Sequence, residues 1–182
     1  MPKKMTIRQK RWLLSAHILC SVAWLGAATC SLILNLAVLF TNDAHLLNAA
    51  YIFVGTLDKA LLRGGALGAI ISGVLLSVFT KWGLFRFYWI IVKEAISLLC
   101  MIIGVIISGW NDEAILLTAQ YGLHAMHNQL YLTNQTMIFI GITFQLISLS
   151  AVFVISIFKP WGQLGNSATA SKAKAGKQTI LR

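Results

Sequence analysis

The stretch W-L-L-S-A-H-I-L-C-S-V-A-W-L-G-A-A-T-C-S-L-I-L-N-L-A-V-L-F, residues 12–40, runs for 29 positions without an Asp, Glu, Lys or Arg. At 1.5 Å rise, ~20 apolar residues cross a ~30 Å hydrocarbon core. Only a helix satisfies every backbone amide inside such a run. The stretch therefore predicts a membrane-spanning helix, long enough to tilt or to project beyond the bilayer. Three further runs read the same way: residues 61–79, 87–110 and 137–158. The expected fold is all-α, a four-helix transmembrane bundle.

Composition agrees. Of 182 residues, 58% are hydrophobic and 11% charged, whereas a soluble domain is nearer half apolar and a quarter charged. A water-soluble monomer of this length has no interior large enough to hide that surface. Cys20, Cys30 and Cys100 all lie inside apolar runs, which excludes a disulfide scaffold or a zinc ribbon.

Charge placement gives an orientation. Twelve of the fifteen basic residues fall before span one, between spans two and three, or after span four. The other loops hold Lys59 and Arg63 beside Asp43, Asp58, Asp112 and Glu113. The positive-inside rule then places both termini in the cytoplasm, and an even number of spans agrees. The net charge of +10 is thus a topology signal and an attraction to anionic lipid, with no nucleic-acid partner implied. The expected organisation is a basic cytoplasmic segment (1–11), a transmembrane domain (12–161) and a disordered, basic cytoplasmic tail (162–182). A short amphipathic helix is expected in the outer loop before span four, within residues 113–129.

Polar groups are costly in lipid, so their positions carry information. On span one, His17, Ser21, Trp24, Ala28, Ser31 and Asn35 follow alternating steps of four and three, which is one helical face. Span three repeats the pattern with Lys93, Ser97, Cys100, Gly104 and Ser108, and span four with Gly141, Gln145, Ser148 and Ser156. Span two carries Gly64, Gly65, Gly68, Ser72 and Gly73, spacing that permits close helix approach. His17 and Lys93 stand at similar depths, ~8–9 Å from the cytoplasmic ends of their spans. Glu94 is turned ~100° from Lys93 and is expected to face another helix or to snorkel.

Two candidate sites follow. One is a polar pocket in the inner leaflet, where His17 ligates a haem iron or a metal, or bonds a quinone headgroup, and Lys93 pairs with an anionic group. The other is at the outer surface, where His124 and His127 (H-A-M-H) share a helical face and His45 lies in the neighbouring loop, three imidazoles suited to a transition metal. The triplet Asn134-Gln135-Thr136 also fits a glycosylation acceptor.

The segment L-R-G-G-A-L-G-A-I-I-S-G-V-L-L-S-V-F-T-K-W-G-L-F-R-F-Y-W-I-I-V-K-E, residues 62–94, resembles a bacterial family of integral membrane proteins known as a domain of unknown function. So do His17 with Trp24-Leu25-Gly26, and the closing F-K-P-W-G, residues 158–162. More distantly, the chain is similar to CopD-type copper-resistance membrane domains and to the HemJ-type protoporphyrinogen oxidase. His17 upstream of Trp24, and Lys93 in W-I-I-V-K (residues 89–93), match positions that recur in that group. The resemblance implies a multi-pass protein of the bacterial cytoplasmic membrane, with haem b as cofactor and His17, Trp24 and Lys93 as the binding residues. The further histidine and arginine-rich segments of the HemJ enzyme are not in register here, and no catalytic residue is assigned. A non-enzymatic alternative stands beside this. The polar stripes then line a transport pathway, or an interface with a second copy or another membrane protein during assembly.

Overall fold

The computed structural model describes residues 5–80 and 83–161. The basic residues Lys3, Lys4 and Lys81, and the tail expected to be disordered, fall outside them. The chain is all-helical, in the order α1 (Ile7–Val38), α2 (Ala44–Leu57), a π-helical turn (Asp58–Leu62), α3 (Arg63–Phe79), α4 (Tyr88–Tyr121), a 3-10 segment (Gly122–His127) and α5 (Gln129–Phe158). Among the described residues, four helical stretches are long and apolar enough to cross a membrane: Ile7–Val38, Ala44–Phe79, Tyr88–His127 and Gln129–Phe158.

These stretches are longer than the hydropathy runs. The second begins at Ala44 rather than near residue 61, and α5 begins at Gln129 rather than near residue 137. Polar residues that break an apolar run do not break a helix when their bonds close on helical neighbours. Thr56 Oγ1 donates to Ile52 O at 2.9 Å, and Thr133 Oγ1 donates to Gln129 O at 2.9 Å. Asn48 Nδ2 reaches the next helix, donating to Ile115 O at 3.0 Å and Thr118 Oγ1 at 2.9 Å. Residues 113–121, expected in a separate amphipathic helix, continue α4 instead. The 34 residues of α4 reach about 51 Å at helical rise, well beyond a hydrocarbon core of ~30 Å.

Local signals set the ends. Thr6 and Gln9 form a reciprocal capping box before α1. The Asp43 side chain accepts from His45 N at 2.8 Å, and that of Asn128 from Leu130 N at 2.8 Å. Gly122, with φ +55°, turns the chain out of α4.

α1 packs most extensively on α3 and α4 on α5, while α1 also meets α5 and α3 meets α4, which closes a ring of four. One core, around Leu47, Tyr51, Ala114, Tyr131 and Ile138, fills the end near the α1–α2 and α4–α5 connections. Tyr51 and Tyr131 meet edge to face there, with a 3.0 Å bond between their hydroxyls. A second core, around Trp24, Ala28, Ala66, Cys100 and Leu149, fills the middle. The outer faces are apolar: Leu19, Ile33, Ile71, Val105 and Ile147 are all exposed. That inversion suits a lipid surround.

Candidate functional site

His17 faces α3. Its Nδ1 lies 3.0 Å from the Ala69 carbonyl and 2.9 Å from Ser72 Oγ. Ser72 has one hydroxyl proton and directs it back to its own helix, toward the carbonyls of Gly68 and Ala69. Ser72 Oγ and the Ala69 carbonyl both therefore accept from the ring, and Nδ1 must carry the proton. In the neutral imidazole this leaves the lone pair on Nε2. A ring N–H tied to a backbone carbonyl is the arrangement that orients metal-ligating histidines.

His17, Trp24 and Lys93 line one cavity of about 310 Å³, with Ser21 and Ser97 on the same walls. Apolar side chains, among them Ile18, Leu149 and Phe153, make up most of its lining. The cavity lies at the small end of the ~300–1,000 Å³ range of ligand pockets. A second cavity of about 330 Å³ shares Leu14, His17, Lys93 and Ser156 with it and adds Lys10 and Lys159. Three ammonium groups thus line the basic end of the pair. Lys159 Nζ also stands 5.8 Å from the centre of the Trp89 ring.

Glu94 takes the first of its two expected directions and faces another helix, α3. It lines the same cavity as Lys93, and its Oε1 is 3.7 Å from Lys93 Nζ. Both side chains are only 13% exposed. Gly73 makes this possible. A Cβ on Gly73 would stand 2.9 Å from Glu94 Oε1 and 3.2 Å from His17 Cε1, so the missing side chain is what admits the carboxylate beside the ring. Glu94 Oε1 is buried without a hydrogen-bond partner in the protein. The sequence holds a faint signal for this: Ser72 and Gly73 end the small-residue face of the second span.

A second polar group was assigned to loops by the sequence. Asp58 and Arg63 flank the π-helical turn inside the continuous second stretch. Arg63 Nη2 is 2.9 Å from Asp58 Oδ2 and 2.6 Å from Ser108 Oγ on α4. The Asp58 side chain is 10% exposed and that of Arg63 46%.

The histidines expected at the outer surface stay apart from this chemistry. His45 sits in the first turn of α2, and His124 and His127 in the 3-10 segment, all three exposed. Among the described residues, no group of three or more His, Cys, Asp or Glu side chains is placed to hold a metal ion. Replacing His124 and His127 together by alanine is expected to leave the metal content of purified protein unchanged, as measured by elemental analysis. Asn134 is likewise no glycosylation acceptor in this fold: it is buried, and its Nδ2 donates to Glu113 Oε2 at 2.8 Å.

No protein-family model matches the chain, and neither a curated protein nor a solved structure does.

Proposed function

We propose that this is a multi-pass protein of the bacterial cytoplasmic membrane that binds a redox cofactor in the His17 cavity, haem b being the form its donor set fits. The observation that carries the reading is the His17 ring itself. Its Nδ1–H is fixed on Ala69 and Ser72, which leaves the lone pair on the other nitrogen, and the residue lines a largely apolar cavity. Such a nitrogen suits an axial iron ligand. Lys93 supplies an ammonium for a propionate, and Trp24 and Phe153 supply flat apolar wall. Bound haem would supply one-electron transfer; the chain's own part is to orient the ligand nitrogen, pair the anionic groups and exclude water. The test is an absorption spectrum of protein purified from haem-sufficient cells. A Soret band at one haem per chain is expected, and its absence at every haem supply overturns the reading.

The orientation rests on charge. Lys10, Arg11, Arg86 and Lys159 all belong to the end of the bundle where α1 starts and α5 finishes, and the positive-inside rule turns that end to the cytoplasm. Reporters fused after His127 and after Trp161 are expected to report opposite compartments, the second cytoplasmic. Same-side reporters would overturn the orientation.

A further inference from the structure

The cavity of Lys10 and Lys159 is a vestibule at the basic end of the bundle. All four spans contribute to it: Lys10 from α1, Leu76 from α3, Trp89 and Lys93 from α4, and Ser156 from α5. Lys159 ends α5, with its ammonium beside the Trp89 ring. Lys10 stands two residues before Trp12, where the apolar run of α1 begins, and Lys159 directly after Phe158, where that of α5 ends. Lysines at span ends reach the headgroup level of a bilayer. The vestibule adjoins the His17 cavity, with which it shares Leu14, His17, Lys93 and Ser156.

The His17 cavity in turn lies in the seam between α1 and α5. Leu14 and Ile18 line one side, and Val152, Phe153 and Ile157 the other. Leu14, Ile18 and Ile157 are exposed on the outer face of the bundle, where a bilayer offers acyl chains rather than water. From Leu14 to Trp24 the lining follows α1 for about 15 Å at helical rise. That is half of a ~30 Å hydrocarbon core, the depth to which an acyl chain of the adjoining leaflet reaches.

Charge decides which headgroup can follow the chain. Lys10, Lys93 and Lys159 bring three ammonium groups to the vestibule. Glu94, 3.7 Å from Lys93 Nζ, offsets one of them and leaves two positive charges in excess. The hydroxyls of Ser77 and Ser156 add no donors, because they bond Gly73 O at 2.9 Å and Val152 O at 2.8 Å. The attraction is thus that of ammonium groups, acting as point charges, for an anion such as phosphate. A zwitterionic headgroup would bring its own cation into the same excess, which like-charge repulsion disfavours.

We infer that the vestibule and the α1–α5 seam together bind one anionic phospholipid. Its phosphate sits against Lys10, Lys93 and Lys159, and one acyl chain lies in the seam along Leu14, Ile18, Val152 and Phe153. This inference goes beyond the cofactor reading and does not rest on it. A haem and an acyl chain would share the same walls, so the lipid is the occupant of protein that holds no haem.

The test uses the full chain without a Soret band, so its outcome is separate from that of the cofactor reading. The protein is titrated in nonionic detergent with phosphatidylglycerol, or with phosphatidylcholine of the same chains, and bound lipid is counted by native mass spectrometry. One phosphatidylglycerol per chain is expected, bound about tenfold more tightly than phosphatidylcholine. Lys10→Gln combined with Lys159→Gln is expected to weaken phosphatidylglycerol about thirtyfold, as the loss of two lysines near an anionic head would. Arg8→Gln combined with Arg11→Gln removes as much charge from the same end, but neither arginine lines either cavity. That pair is expected to change the affinity by no more than about twofold. Glycerol phosphate, an anion without a chain, is expected not to compete at equal concentration. Equal affinity of the native chain for the two lipids overturns the inference, and so does equal weakening by the two pairs of substitutions. Competition by glycerol phosphate overturns it as well, by assigning the vestibule to a soluble phosphate.

Discussion

Protein carrying His17→Ala is expected to lose its Soret band entirely while keeping the helical circular dichroism of the native chain. One nitrogen holds the iron in this reading. Among the described residues no second histidine lines the cavity: His45, His124 and His127 belong to the opposite end of the bundle. The fold survives because His17 contributes two hydrogen bonds to α3, and membrane hydrogen bonds of this kind average only ~0.6 kcal/mol. Ser72 keeps its carbonyl acceptors when the ring is gone. Lys93→Met separates positioning from ligation. It keeps the apolar stem but removes the charge, so the band persists with a haem affinity lowered about tenfold, equivalent to ~1.4 kcal/mol. A His17→Ala protein that retains a full Soret band would place the ligand elsewhere.

The second large effect concerns the α1–α3 contact. Gly65→Leu is expected to destabilise the bundle by about 3 kcal/mol, at the upper end of ordinary overpacking. A Cβ on Gly65 would stand 3.0 Å from both Cys20 O and Trp24 N. Those are backbone atoms of α1 and cannot swing aside. Separating the helices would also pull Trp24, Ala27 and Ala28 away from Ala66 and Ala69, the centre of the middle core. Gly64 is the control: a Cβ there meets nothing within 4 Å, and Gly64→Ala is expected to be neutral or to stabilise by up to about 1 kcal/mol through helix propensity. The two variants are compared by denaturant titration in detergent, read by circular dichroism. Equal midpoints for the two would refute the close-contact account.

The fold was legible because lipid makes two demands that sequence alone can answer. Apolar length marks a span, and polar periodicity marks the face that avoids lipid. The stripe His17, Ser21, Trp24, Ala28, Ser31 and Asn35 was therefore readable as one face, and each of its members lines a cavity. The bounds of the spans were less legible. A hydropathy window takes Asp58, Lys59 and Arg63 as loop, whereas Asp58 and Arg63 neutralise each other across the π-helical turn and Lys59 pairs with Asp112 at 3.6 Å. An ion pair lets a helix continue through charges that look like a boundary.

What the sequence determined by itself was thus the class of protein, its count of apolar helices and the face each turns inward, since these depend on local composition and helical period. The tertiary structure alone decided which polar groups meet. Ser72 fixes the tautomer of His17 across a separation of 55 residues, Gly73 opens the space into which Glu94 turns, and Arg63 reaches Ser108 across 45. Contacts of that range depend on how four helices rotate and slide against one another. Rotation and offset are set by the fit of small residues at every crossing together, and no single stretch of the chain contains that information.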